Sequence, residues 1–234
     1  GQETVRNFFR AGASSGTIAK AMSAYDKDFS DAIYGEEADG RYVTESRLKK
    51  MLAHEVNLVE QRLGRDKHPS KVFFSYANTV ATIDFAKQFK GHGWVGIRYQ
   101  VEPDEDYNEI IIHIRFKETD AKLQQETLGI LGVNLIYGAY YKYNDPKKLL
   151  RYLYDHLDKD QLEIDTVNFS GPRFANVDNR LMSLQLVKNG MTDAVMFGPD
   201  GKNILPAAVL YKKNILALRG SFRPVTKVNM DMYE

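Results

Sequence analysis

"EIIIHIRFK", residues 109–117, alternates strictly: Ile110, Ile112, Ile114 and Phe116 fall on one side, Ile111, His113, Arg115 and Lys117 on the other. A period of two with one apolar side predicts a strand whose better face is buried. On its N-terminal side, "KVFFSYANTVATI" (71–83) and "GWVGIRYQ" (93–100) are rich in aromatic and β-branched residues. A Gly-rich turn and the acidic stretch "VEPDEDYNE" (101–109) make the connections short, so the three strands predict an antiparallel meander.

Helical periodicity flanks this sheet. Ile18, Met22, Tyr25 and Phe29 recur at helical spacing, with Ser14, Ser15 or Thr17 available as N-cap. A second stripe of Leu48, Met51, Leu52, Val56, Val59 and Leu63 follows Thr44 and ends at Gly64 and Pro69. Residues 120–143 are apolar on nearly every face past Gln125, the mark of a buried helix. Gly129, Gly132 and Gly138 would let neighbouring backbones approach it closely. Asp145 and Pro146 open another helix, with Leu149, Leu150, Leu153 and Leu157 on one side.

The last third reads differently. "LEIDTVNF" (162–169), a helix over 176–190 and "DAVMF" (193–197) predict a β-α-β unit with parallel strands, followed by strands at 207–211 and 214–220. The fold class expected is α+β: a mixed sheet with an antiparallel meander and one β-α-β unit, packed by helices. We expect one domain over 1–234, helical at 14–64, and a piece of a longer protein, because Gly stands first and "VNMDMYE" reads as an alternating strand cut short.

Composition narrows the chemistry. The 32 Lys and Arg nearly balance the 31 Asp and Glu, with no basic stripe, so nucleic acid is not expected as a partner. With no Cys there is no disulfide, thiolate metal site or thiol nucleophile, which fits a cytoplasmic protein. No run of 18 apolar residues predicts a membrane span. The five His (54, 68, 92, 113, 156) lack metal-ligand spacing, so no metal is expected and no cofactor is assigned. "GASSGTIAK" (12–20) resembles a phosphate loop but has three residues between its glycines, and Thr17 precedes the lysine, so it reads as a helix start.

Four places can carry function. The loops "FSGPRFANVDNR" (169–180) and "FGPDGKN" (197–203) follow the two strands of the β-α-β unit, where ligands of open parallel sheets bind. There Ser170, Gly171, Arg173, Asp178, Asn179, Arg180, Gly198 and Asp200 are candidates, with Arg173 and Arg180 for a phosphate at the helix N-terminus. The alternative is that Asn176 or Asp178 caps the helix and the arginines pair at the surface. His92 and Trp94, flanked by glycines, would stand on an exposed turn or cap the core. Arg98 and His113 could join Arg115 around an anion. Arg219, Ser221 and Arg223 line an extended stretch that reads as a phosphate pocket or a charged edge strand.

Residues 15–26, "SDAIYG" (30–35), "HGWVGIRYQ" (92–100), "LGVNLIYGAYY" (131–141), 169–201 and 209–232 resemble an uncharacterised bacterial family, over nearly the whole chain. Its members are about twice this length and carry the names nicotinate-nucleotide adenylyltransferase and, in places, TonB-dependent receptor. The first name implies a histidine-bearing loop of the type G-x-F-x-P-x-H-x-G-H, which this sequence lacks. The second implies a large outer-membrane barrel with a signal peptide, features we do not read here. The function expected is binding of a phosphorylated or nucleotide-like metabolite. The alternatives are a dimerisation module built on helix 121–142, and adenylyl transfer as the family name implies.

Overall fold

Residues 108–116 form one of the two inner strands of a four-stranded antiparallel sheet. The computed structural model describes residues 1–232. The chain runs α1 (Gln2–Ala11), α2 (Lys27–Tyr34), α3 (Glu45–Leu63), β1 (Phe74–Ala81), β2 (His92–Tyr99), β3 (Asn108–Phe116), α4 (Ala121–Tyr141) and α5 (Pro146–Tyr152). It continues through β4 (Leu162–Ser170), α6 (Asn179–Lys188), β5 (Met196–Phe197), β6 (Asn203–Ile204), α7 (Pro206–Leu210) and α8 (Lys227–Asp231). The strand order is β1-β2-β3-β4, so β1 and β4 are the edges.

Alternation decides the layers. Ile110, Ile112, Ile114 and Phe116 join Val95, Ile97 and Tyr99 of β2 and Leu162, Ile164, Val167 and Phe169 of β4. Over them lie Leu131 and Leu135 of α4, Leu149 and Leu150 of α5, and Met182 and Leu186 of α6. The opposite face is covered by α3, whose Leu48 and Leu52 pack with Ala77, Trp94 and Ile111. The helices that cover the sheet start where a side chain relieves their free N–H groups: for α3, α4 and α5, Thr44 accepts from the Arg47 N–H, Asp120 from Lys122 and Leu123, and Asp145 from Lys148. On the outer side of α4, Gly132 leaves room for α1, whose Thr4 is buried there.

Three expectations are corrected. The described residues hold no parallel β-α-β unit: β4 pairs antiparallel with β3, and after α6 the two-residue β5 pairs antiparallel with β6. The "FGPDG" segment closes that hairpin through Gly198 N–H to Lys202 O and Gly201 N–H to Gly198 O, so it turns straight back instead of crossing over. The sheet is therefore antiparallel throughout the described residues.

The stripe at 18–29 is not one helix. Ser14–Gly16 makes a short 3-10 turn, the chain then runs irregularly, and Asp26 caps α2 by accepting from the Phe29 N–H. Little buries the proposed apolar side: Tyr25 is 88% exposed and Phe29 57%, and Ile18 and Met22 are only partly buried. Without packing, a short run of Ser, Gly and Thr does not offset the cost of starting a helix. Meanwhile α1 lies before the region expected to be helical.

Finally, 207–211 and 214–220 are not strands. Pro206 supplies the fixed φ that opens α7, and residues 214–220 take no regular structure. Residues 227–231 of "VNMDMYE" and its flank form α8 under a Thr226–Asn229 capping box. The last two residues of that stretch lie outside the described residues.

Candidate functional site

The Gly-Pro loops bring their charges together in pairs. Arg173 donates to Glu105 through Nε (3.0 Å) and Nη2 (2.7 Å), and its Nη2 also lies 3.0 Å from Glu102. Burial pushes the Glu105 carboxyl up, but hydrogen bonds from Arg173, the Val101 N–H and Asn108 outweigh it and hold that group below its usual range. Asp178 accepts from the Arg180 N–H as helix cap and from the Arg180 guanidinium at 2.8 and 3.1 Å. Chiefly through Arg180, its carboxyl is lowered to about 2.

Asn179 is a staple: its Oδ1 accepts from the Phe169 N–H and its Nδ2 donates to the Phe169 carbonyl. Ser170 stands exposed at the end of β4, and Gly171, at φ +102°, lets the loop fold onto Asn108. Gly198 and Asp200 belong to the β5–β6 turn, where Asp200 accepts from the Lys202 N–H. The two loops do meet, with Gly201 beside the Arg180 guanidinium. Yet Arg173 and Arg180 already have carboxylate partners there.

Arg219, Ser221 and Arg223 lie on an exposed irregular stretch and make no side-chain hydrogen bond or ion pair among the described residues. Arg98 is turned to Glu109 (2.6 Å) and packs over the Tyr107 ring. It therefore does not join His113.

What the sheet assembles instead is a chain of polar groups across three adjacent strands. His92 is not on a turn; it opens β2, directly opposite Arg115 of β3. Trp94 lies in the core beneath α3, its ring 4.9 Å from that of His113. His92 Nδ1 meets His113 Nε2 at 3.1 Å, His113 Nδ1 meets Asp165 Oδ1 at 2.7 Å, and Arg115 Nε donates to Asp165 Oδ2 at 2.9 Å. His113 is 1% exposed and Asp165 8%.

A β-bulge makes this chain. Register slips between His113 and Ile114, so that His113 faces Thr166 while Ile114 faces Ile164, leaving Asp165 as the extra residue. A bulge re-aims a side chain, and here it directs the carboxylate at His113. Asp165 is not among the candidates that motifs and spacing single out, but the sequence carries its signal. In "LEIDTVNF" the apolar positions are 162 and 164, then 167 and 169, a phase slip at Asp165–Thr166.

His92 is held below its ordinary value, first by burial, then by His113 and Arg115, with Asp165 opposing. The folded protein thus takes up this proton at lower pH than the unfolded chain does. Protons then favour unfolding in the window below about 6.5, and stability falls as pH drops through it. The slope from this one group is at most about 1.4 kcal/mol per pH unit. Urea midpoints at pH 7.5 and 5.5 should separate more in the native chain than in His92→Gln; an equal separation would remove His92 as the cause.

The concave surface of the molecule lies elsewhere. A groove of about 1490 Å³ runs along edge strand β1, between residues 15–27 on one side and α3 and α4 on the others. Residues 71–80 form its floor, and Tyr34, Tyr42, Tyr76, Tyr137, Tyr140, Tyr141 and Tyr143 project along its walls. The segment 15–27 is held lightly. No backbone N–H from Ala19 to Tyr25 bonds to another backbone group among the described residues. Lys20 ties it to Glu55 at 2.8 Å, and Glu55 also accepts from the Tyr34 hydroxyl at 2.7 Å.

Lys27 and Lys71 line the groove with no carboxylate partner among the described residues. The Tyr140 hydroxyl is buried without a partner, as is that of Tyr99, whose ring lies 5.4 Å from that of Tyr140. Burial pushes both phenols well above their ordinary range, so they remain protonated donors.

No family model, curated protein or solved structure matches the chain. Among the described residues no helix is long and apolar enough to cross a membrane, and no group of three or more His, Asp or Glu is placed to hold a metal ion.

Proposed function

We propose that this domain binds a small ring-bearing anion, phosphorylated or nucleotide-like, in the tyrosine-lined groove along β1 and not at the Gly-Pro loops. The observation that carries this reading is the groove itself, with its run of tyrosines and two unpaired lysines. Ligand sites are typically concave, largely apolar and fitted with a few polar groups, within about 300–1,000 Å³, so this groove has room for a nucleotide. Tyrosine faces suit a planar ring, and Lys27 and Lys71 suit its charge. The ion pairs of Arg173 and Arg180 count against the loops, because an incoming phosphate would have to displace carboxylates.

Titration calorimetry with ADP, nicotinate mononucleotide and inorganic phosphate tests the proposal. Tyr141 is 67% exposed at the mouth of the groove, so Tyr141→Ala should fold normally. Loss of one ring stacked on a base weakens binding by about 1–3 kcal/mol, roughly tenfold or more in Kd. Lys71→Ala should weaken the nucleotides further, while Arg173→Ala and Arg180→Ala should leave binding unchanged. Binding that disappears only in the two arginine variants, or no binding of any nucleotide, would overturn it.

A further inference from the structure

The polar chain across β2, β3 and β4 is remote from the groove in its residues and carries a separate reading. We propose that Asp165, His113 and His92 form a proton-transfer site. In it His92 Nε2 is the base that meets a substrate, and the Nη groups of Arg115 hold an oxyanion of that substrate.

The hydrogen bonds have a direction. A carboxylate can only accept, so His113 Nδ1–H donates to Asp165 Oδ1. With His113 neutral, its Nε2 accepts from His92 Nδ1–H, and the free lone pair of the chain is at His92 Nε2. Among the described residues that nitrogen has no protein partner, and it is not sealed from solvent; the same holds for both Nη atoms of Arg115. His92 and Arg115 are direct cross-strand neighbours, which sets their Cβ atoms about 4.5–5.5 Å apart. The Phe89 ring, 5.6 Å from that of His92, walls one side.

A purely structural histidine would end its hydrogen bonds inside the protein. Here the inner end is fixed by a bulge and a buried carboxylate, and the outer end is left open beside a cation. The substrate class that fits is a weak acid with a carboxylate or phosphate next to the proton to be removed. In the step, the substrate's proton bonds to His92 Nε2 and its electron pair stays on the substrate. The Nδ1 proton of His92 passes to His113 Nε2, and the positive charge comes to rest beside Asp165. Nothing is oxidised or reduced. His113 and Asp165 act as positioning residues through His92.

Two measurements on the full chain test this. Nitrogen-15 shifts of His92 at pH 7.5 should show Nδ1 protonated and Nε2 bare; the opposite tautomer overturns the proposal without any variant. Diethyl pyrocarbonate, which acylates a bare imidazole nitrogen, should modify His92, followed site by site by mass spectrometry. Asp165→Asn should slow this at His92 by about tenfold or more, while His54, His68 and His156, none of them buried, react as before and control for the reagent, and the buried His113 stays unmodified, which reports that the chain is folded. Inorganic phosphate should protect His92 in the native chain and not in Arg115→Gln. A rate at His92 indifferent to Asp165→Asn in a folded chain would overturn the relay, and protection independent of Arg115 would overturn the oxyanion site. Neither result depends on whether nucleotides bind the groove.

Discussion

Replacing Arg47 by Ala is expected to destabilise the chain by about 3–5 kcal/mol, the cost of removing one partner from a buried ion-pair network. Arg47 sits in the first turn of α3 and is 1% exposed. Its Nη2 donates to Ser30 Oγ at 2.6 Å and lies 3.5 Å from Asp31, while its Nη1 donates to the Gly35 carbonyl and lies 3.4 Å from Glu37. The guanidinium lies over the rings of Tyr34 and Tyr42, at 5.3 and 5.0 Å. One side chain thus ties α2 and the loop after it to α3. Without it the Asp31 carboxylate retains the Tyr42 hydroxyl, and Glu37 retains Lys50 at 3.0 Å, but the center of the network is gone.

Lysine should not repair this, because a point charge cannot reproduce a planar fork that bonds several acceptors and packs over two rings. We expect Arg47→Lys to recover less than half the loss. Trp94, the one tryptophan of the chain, is buried under Leu48 and Leu52 of α3 and reports the urea transition by fluorescence. Because Tyr34, Tyr42 and Arg47 also line the groove, nucleotide binding should weaken in the same variants. A loss below about 1 kcal/mol in Arg47→Ala would mean the network does not hold α2 in place.

Arg47 also shows where sequence reading stops. The α3 stripe, its Thr44 cap, the Asp145–Pro146 start and the alternation of β3 are local, and the structure follows them. Pairing across the chain is not local. Arg173 and Glu105 lie 68 residues apart, His113 and Asp165 lie 52 apart, and nothing in either neighbourhood names the other. The acidic stretch 101–109 reads as a solvated loop until Arg173 folds onto it. Likewise, a Gly-Pro turn after a strand and helix reads as a crossover, although β5 and β6 together are too short for anything but a hairpin. The groove depends on edge strand β1 and a segment with almost no backbone hydrogen bonds, and periodicity cannot register either. The α+β class is legible in the sequence, and so are His92 and His113 as residues. Their alliance with Asp165 is visible only as a slip of phase in "LEIDTVNF".

The second large effect is expected at Gly132, where the usual rule for helices should reverse. Gly to Ala inside a helix ordinarily stabilises by about 1 kcal/mol. At Gly132 a Cβ would stand 2.2 Å from Thr4 Oγ1, 2.6 Å from Tyr76 Oη and 2.8 Å from Thr4 Cγ2. Thr4 is 1% exposed and is carried on α1, and Tyr76 is carried on β1, so relieving the clash requires α1 to move off α4 and the Tyr76 hydroxyl to shift. Overpacking of this kind costs about 1–3 kcal/mol, enough to cancel the propensity gain and change its sign. Gly138 is the control on the same helix: there a Cβ would meet only the Leu149 side chain, no closer than 3.2 Å. Gly138→Ala should therefore stay within about 1 kcal/mol of the native chain, the propensity gain offsetting a small shift of Leu149. Hydrogen exchange distinguishes the two, since amides of α1 should lose protection in Gly132→Ala and keep it in Gly138→Ala. The same face bears on assembly. The positions that could let α4 approach a second chain are taken within this one, Gly129 and Gly132 by α1 and Gly138 by α5. A Gly132→Ala chain as stable as the native one, with α1 still protected, would show that α1 is not docked on α4 in solution.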